Sequence, residues 1–500
     1  MSPNGAPQVD VDVIIVGAGV SGIGAATRLA RELPSKSFVM VDARDNIGGT
    51  WDLMRFPGIR SDSDLITYGF SYKPWTHEQA IAPGPAILDY LREAVVEYDL
   101  ASKLRLGRRV LTADWSSADA RWTVSMLNTA TDEVETLTAR WVFSATGYYD
   151  HAAGYRPSFP GEEDFAGRIV HPQEWPADLD YTGKRVVIIG SGATALTLVP
   201  AMAGTAAHVT MLQRSPSYVI PMPSQDLVFC GLKKFLPTQR AFRIARRANI
   251  LRLRAIIGLS RNHPEKTRRL IRWVNKRSLP EGFDVDTHFK PAYKPWDERM
   301  CLVPDGDFFK SVKAGSASVV TDHIRRFTRD GIELESGQVL PADLVVTATG
   351  MNLLPFGAIG ATVDGRPVDW SETVTFKSML LSGVPNFVYA FGYTNNSWTL
   401  KVDLVTDHWC RLLKHMDAQG FDTVVPEIAD PAMGRRMFIE DLSSGYIKRG
   451  IAAFPRQGVD GPWTAEMTYA TDVERLQRGP VADPALVFGT MKLLQEVDAR

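Results

Sequence analysis

Gly17, Gly19 and Gly22 follow the apolar run Val11–Val16 and open an alanine-rich stretch that reaches Pro34. This GxGxxG spacing can cradle a pyrophosphate. The first glycine permits a tight turn, the second lets phosphates approach the backbone, and the third lets helix and strand pack closely. The helix that follows, with Ser21 near its start, would aim N–H groups and the positive end of its dipole at the phosphates. The next apolar run, SFVMVD, ends at Asp42, twenty residues after Gly22, where a carboxylate can accept from a ribose hydroxyl. A second copy lies in KRVVIIGSGATALTLVP, with Gly190, Gly192 and Ala195 at the fixed positions and Ser191, Ala193 and Thr194 between and beside them. The strand after it, in HVTMLQRSPS, ends in Arg214 and Ser215. Asp42 would repel a 2′-phosphate; Arg214 would bind one through a charge-assisted contact. The first loop is therefore expected to hold FAD and the second NADPH.

The residues after Asp42, ARDNIGGTWDLMRFPGIRSDSDLITYGFSY, add two glycines that let backbone lie against a cofactor, Gly48 and Gly49. Thr50 follows them, Trp51 supplies a large rigid surface, and Asp62 places a carboxylate near the ring. Leu53, Met54 and the Trp398 region are candidates to line an apolar pocket. Other chemistries lack their residues. The nine histidines show no HxxxH pairing, there is no GxSxG elbow, and Cys230, Cys301 and Cys410 have no CxxC spacing. No metal site, hydrolytic nucleophile or disulfide relay is expected.

These loops need parallel strands and crossover helices to position them. The chain has 500 residues, 45% of them apolar and 23% charged, with net charge −1, an ordinary globular composition sized for two or three domains. ARWVFSATGYY and ADLVVTATG each run an apolar strand into Ala-Thr-Gly and bracket the second loop. The predicted class is α/β, with two Rossmann-like dinucleotide-binding domains and a helical insertion. The first part of the FAD domain is expected at 1–150 and of the NADPH domain at 151–222. The insertion should occupy 223–298, the rest of the NADPH domain 299–377, and the rest of the FAD domain 378–500. Between the loops, FAGRIVHPQEWP has little periodicity and reads as a linker. The uncharged stretch Ser378–Leu400 carries too many glycines, prolines and asparagines for a lipid-embedded helix. The opening residues lack a basic signal region, and few cysteines suit a reducing compartment, so a cytoplasmic protein is expected.

GGTWDLMRFPGIRSD, through Gly48, Gly49, Trp51, Phe56, Pro57, Gly58 and Asp62, resembles the long fingerprint of type I Baeyer–Villiger monooxygenases. Phe165, Gly167, His171, Trp175 and Pro176 are similar to that family's FxGxxxHxxxWP fingerprint. FPGIRSDSD, MLQRSPSY, PWDERMCLVP and GYTNNSWTLK further resemble its actinobacterial, ethionamide-activating subgroup. The likeness covers nearly the whole chain.

The resemblance implies an enzyme that reduces FAD with NADPH, adds O2 to the reduced flavin and inserts one oxygen atom into a ketone. The product is an ester or lactone, and soft sulfur is a second target. A positive group must stabilise the flavin peroxide anion, with NADP sheltering it. By match to PWDERMCLVP that group is Arg299, oriented by Asp62. His171 is implied to couple domain movement to catalysis. The FAD contacts expected are Gly17, Gly19, Ser21, Gly22, Asp42, Gly49, Thr50, Trp51, Asp62, Tyr68 and Val110. Those for NADPH are Arg60, Gly190, Ser191, Gly192, Ala193, Thr194, Ala195, Arg214 and Ser215. Two positions depart from the pattern. Glu298 stands where relatives often have lysine, which shifts weight onto Arg214, and Asp42 replaces the commoner glutamate. An NADPH oxidase or reductase on the same scaffold is the alternative activity.

Lys233–Arg277 holds fifteen Lys or Arg and one acid, Glu265. AFRIARRANILRLRAIIGLSR should form a helix with Phe242, Ala245, Leu253, Ile256 and Ile257 partly on one side. A solvated face and peripheral contact with an anionic membrane both fit this pattern. Nucleic acid is not expected, because no recognition motif accompanies the charge. The expected partners are O2 and a small apolar ketone or sulfide.

Overall fold

The computed structural model describes residues 8–298, 300–430, 432–440 and 442–490. Two sheets organise them. In the first, Val11–Val16 is central, parallel to Phe38–Val41 on one side and Val134–Ser144 on the other. Val134–Ser144 continues antiparallel through Arg121–Asn128 to Arg108–Ser116. In the second sheet, Arg185–Ile189 is central. His208–Gln213 and Leu344–Thr347 flank it, and Ala317–Thr321 and Arg168–Val170 form the edges, all parallel. The central strands are buried over Val13–Val16, Val186–Ile189 and Leu344–Thr347, as expected where a parallel sheet is covered on both faces.

Each glycine loop follows its central strand, and an Ala-Thr-Gly turn presses on it. Gly17 has φ +110°, and a Cβ there would lie 2.5 Å from the Ala145 carbonyl oxygen. Gly190 has φ +140°, and its Cβ would lie 2.3 Å from the Ala348 carbonyl oxygen. Only glycine meets both demands, a left-handed backbone and a carbonyl in the space of a side chain.

The chain returns to the first sheet earlier than the expected 378. Gly360–Val363 already pairs with Arg108–Ser116, because the crossing is made at the second Ala-Thr-Gly turn. FAGRIVHPQEWP is also more than a linker. Arg168–Val170 is the edge strand beside Leu344–Thr347, too short for its periodicity to show in sequence. Phe165 is buried in a cluster with Phe327, and Trp175 packs on the core of the second domain. A Cβ on Gly167 would strike the Asp343 carbonyl at 2.6 Å.

The insertion is helical, as expected, at Leu227–Lys233, Thr238–Asn262, Pro264–Ser278 and Val285–His288. The long helix does not serve the NADPH domain alone. Phe242 and Ala245 are buried in the core around the first sheet. Arg246 reaches the end of the short helix Leu65–Tyr68, where its Nη1 lies 3.1, 2.8 and 2.6 Å from the carbonyl oxygens of Ile66, Thr67 and Gly69. Its Nη2 donates to Asp403 at 3.0 Å. A cation therefore satisfies carbonyls that a helix C-terminus leaves unpaired. Of the other apolar residues expected partly on one side, Ile256 is exposed and Leu253 and Ile257 are half-buried.

Arg246→Ala would strand these carbonyls and leave Asp403 with less compensation for burial, which already pushes its carboxyl up. The expected loss is ~3–5 kcal/mol of stability, read from denaturant unfolding with flavin loaded. A loss below ~1 kcal/mol would contradict the clamp.

Candidate active site

One cavity of about 1360 Å3 is bounded by both glycine loops. A site for a single small molecule spans roughly 300–1,000 Å3, so this one has room for more than one ligand. From the FAD side, Gly17, Gly19, Ser21, Asp42, Gly49, Thr50, Trp51, Asp62, Tyr68 and Val110 line it. From the other side come Arg60, Gly190, Ser191, Gly192, Ala193, Thr194, Arg214 and Ser215. Gly22 and Ala195 are not on the wall. Gly22 is where the helix crosses the loop, its would-be Cβ 1.8 Å from the Gly17 carbonyl oxygen. Ala195 is wholly buried in the core of the second domain. Both allow close packing, of helix on loop at Gly22 and of the second core at Ala195.

The loops fit the groups the sequence implies. Gly19 and Gly49 approach each other backbone to backbone, a Cβ on Gly49 lying 3.2 Å from the Gly19 Cα. Two chain segments thus present bare backbone where a pyrophosphate needs N–H donors. Asp42 is engaged even without a ribose. One carboxylate oxygen accepts from the Ala18 N–H at 2.7 Å, the other from the Arg44 N–H at 2.9 Å. A carboxylate has about four acceptor positions, so it can brace the loop and still accept from a sugar hydroxyl. Ser21 Oγ accepts from the Trp398 indole at 2.7 Å, which ties the start of the helix Trp398–Gln419 to the flavin-side loop.

Trp51 donates from its indole to the Tyr68 hydroxyl at 2.7 Å, with the rings edge to face. Burial pushes the Tyr68 phenol well up, against the pull of the Trp51 bond. It is therefore neutral at physiological pH. Met54 and Trp398 line the cavity as expected, but Leu53 does not and packs half-buried against the second core. Arg60 lines the wall while paired with Asp307, on the helix Asp307–Lys313 of the second domain. Its expected role toward NADPH is thus shared with a bond between domains. Arg214 is exposed just past His208–Gln213 and makes no ion pair among the described residues. It is the available cation on that side.

His171 lies off the cavity wall. Its Nε2 donates to the Gly350 carbonyl at 3.1 Å, and its Nδ1 accepts from the Gln173 N–H at 3.2 Å. These bonds specify the neutral Nε2–H tautomer. Burial lowers its pKa, partly offset by the Gly350 bond. Gly350 does line the cavity, at φ +109°. The ring therefore holds the turn by which the chain passes between domains. Arg299 lies outside the described residues. Its neighbours Glu298, Cys301 and Leu302 line the cavity. Burial raises the Glu298 carboxyl, with Lys448 pulling the other way. Cys301 is buried in the strand Cys301–Pro304.

Much of the remaining wall is aromatic. Tyr148, Tyr149, Tyr155, Tyr393 and Tyr446 line it with Arg449, whose guanidinium sits 3.4 Å from the Tyr155 ring centroid. Sequence reasoning missed this surface. Only Tyr148 and Tyr149 adjoin a recognised turn; the others are assembled from segments with no spacing in common.

Two dinucleotide loops opening on one cavity, with no cysteine pair beside it, define a two-nucleotide flavoprotein oxidoreductase. Residues 11–227 match the pyridine nucleotide-disulphide oxidoreductase family. The FAD-containing monooxygenase EthA of Mycobacterium tuberculosis is 48% identical over 96% of this chain and 97% of its own length. EthA of Mycolicibacterium smegmatis is also 48% identical, over 95% and 96%. Among solved structures, oxidized steroid monooxygenase bound to NADP superposes with TM-score 0.76 at 20% identity, covering 96% of this chain and 99% of its own. Cyclohexanone monooxygenase from Rhodococcus sp. Phi1 bound to NADP+ superposes at 0.64 and 22%, covering 83% and 86%. The chain belongs to the family of FAD-containing monooxygenases.

Two variants test the division of labour. Arg214→Ala should raise KM for NADPH by roughly 10- to 150-fold, the worth of a charged hydrogen bond, and change KM for NADH far less. Equal losses would contradict the assignment. His171→Ala should keep its flavin but consume more NADPH per product formed; an unchanged ratio would leave the ring only a structural part.

Proposed function

We propose that this protein catalyses oxygenation of apolar ketones to esters or lactones, and of sulfides to sulfoxides. The balanced reaction is substrate, O2, NADPH and a proton giving oxygenated substrate, NADP+ and water. One observation carries the reading: both nucleotide loops open on one continuous cavity that also has an aromatic wall. Reduction and oxygen transfer can then occur without release of an intermediate to water.

When bound, NADPH supplies a hydride and FAD accepts it and reacts with O2. The chain's own residues do the rest. Gly17, Gly19 and Gly49 offer backbone to one pyrophosphate, and Gly190 and Gly192 to the other. Asp42 accepts from a ribose, and Arg214 holds the 2′-phosphate. Trp51, Tyr68, Met54 and Trp398, all on the wall, limit water at the reacting centre and strengthen its electrostatics. Arg299 supplies the positive charge and Asp62 orients it. This assignment rests on the motif and on the neighbours of Arg299 that line the cavity. The aromatic part of the wall favours uncharged substrates.

An oxidase on the same scaffold would pass electrons to O2 and release hydrogen peroxide without transferring oxygen to a substrate. Arg299→Ala separates the two activities. It should bind FAD and accept reduction by NADPH, yet lose ester and sulfoxide formation by ~100- to 1000-fold, the usual cost of removing one preorganised stabilising group. NADPH consumption should continue, with hydrogen peroxide as product. Arg299→Lys should recover only part, since an ammonium lacks the planar fork. A flavin-loaded Arg299→Ala protein with wild-type product yield refutes the role.

A further inference from the structure

The helix Thr238–Asn262 carries two apolar stripes. One, with Phe242 and Ala245, is buried against the flavin domain. The other is Ile244, Leu251 and Leu259, spaced seven and eight residues apart and so on one face of the helix. Their exposures are 46, 64 and 62%. Phe235, just before the helix, is 86% exposed. Arg240, Arg243, Arg247, Arg252 and Arg254 are interleaved with this stripe in sequence, all exposed. None of the five pairs with an acid among the described residues. On the following helix, exposed Trp273 lies under the Arg277 guanidinium at 4.2 Å.

A single exposed leucine is ordinary on a soluble protein. A stripe repeated along one helix, interleaved with unpaired arginines, is not. A merely solvated face would carry Lys, Glu or Gln where Ile244, Leu251 and Leu259 stand. Nucleic acid would use the arginines and gain little from the stripe. An anionic bilayer uses both, with phosphates taking the guanidinium groups and the acyl boundary taking the apolar side chains. Trp273 beside Arg277 suits the headgroup level. No helix among the described residues is long and apolar enough to cross a membrane, so the contact would be peripheral.

We infer that the outer face of Thr238–Asn262 docks this protein on anionic membranes, with the helix lying in the plane of the interface. The opposite face, through Arg246, grips the short helix that ends in Tyr68 on the cavity wall. Docking would hold the cavity near the phase in which apolar molecules dissolve. The inference does not depend on the reaction proposed above.

Co-sedimentation of the full flavin-loaded chain tests it, using vesicles of phosphatidylcholine with and without phosphatidylglycerol. The protein should bind only the anionic vesicles and be released progressively by salt. Arg243→Gln with Arg247→Gln should weaken binding about 30-fold, at roughly fivefold for each basic residue near the surface. Leu251→Gln with Leu259→Gln should weaken it at least about tenfold. Both pairs should keep wild-type flavin content and turnover of a water-soluble sulfide, which separates failure of docking from failure of the enzyme. Absence of binding to anionic vesicles overturns the inference. So does binding that duplex DNA competes away and the leucine changes leave intact, the mark of a polyanion site. A self-association that the leucine changes abolish, without vesicle binding, would show that a second copy covers this face.

Discussion

The segment Trp51–Asp62 packs into both domains at once, and the geometry of the site depends on that. Trp51 lies against the core around the first sheet. Met54 and Phe56 are buried in the core around the second, with Leu53 and Ile59 packed beside them. Gly58 lets the segment press on the helix Ala193–Met202, since a Cβ there would lie 2.7 Å from the Ala201 side chain. Arg60 then pairs with Asp307. A stretch of twelve residues is thus held by apolar burial on one side, apolar burial on the other, and an ion pair across the join. Trp51, Met54, Phe56 and Ile59–Asp62 also form part of the cavity wall. This gives a physical reason for a long fingerprint in a place with little regular secondary structure beyond the short helix Thr50–Leu53. Each side chain is fixed by a different neighbour, and the product of those constraints is the distance between two nucleotide loops.

The same logic explains why the second fingerprint lies where it does. Phe165 and Trp175 anchor into separate cores, and between them His171 grips the Gly350 carbonyl. A ring with both nitrogens committed and its charge disfavoured by burial makes a poor acid or base. It makes a good strut, because losing either bond leaves a buried polar group unsatisfied. The first fingerprint therefore ties one domain to the other, and the second ties both faces of the second sheet to the turn at Gly350.

What could be read from sequence was what local backbone geometry dictates. Gly17, Gly19, Gly22 and their second copy announce themselves because a tight turn before a helix admits few residues. Asp42 and Arg214 were legible because each ends the strand that follows its loop. What depends on distant partners was not legible. Nothing near Arg60 points to Asp307, and nothing in the arginine-rich helix says that Arg246 alone turns inward to cap Leu65–Tyr68. The cavity tyrosines, from residues 148 to 446, share no period because they share no element. The early return at Gly360 was hidden for a related reason: a four-residue strand carries too little pattern to stand out against the loops around it.

The central claim is that the shared cavity delivers oxygen to a bound substrate and does not merely pass electrons to O2. Turnover under 18O2 with an apolar ketone and with an aryl methyl sulfide tests it directly, with NADPH oxidation followed in the same sample. One labelled atom per ester or sulfoxide, and one NADPH per product, is the result predicted. NADPH oxidation with the label only in hydrogen peroxide or water, and none in either organic product, would contradict it.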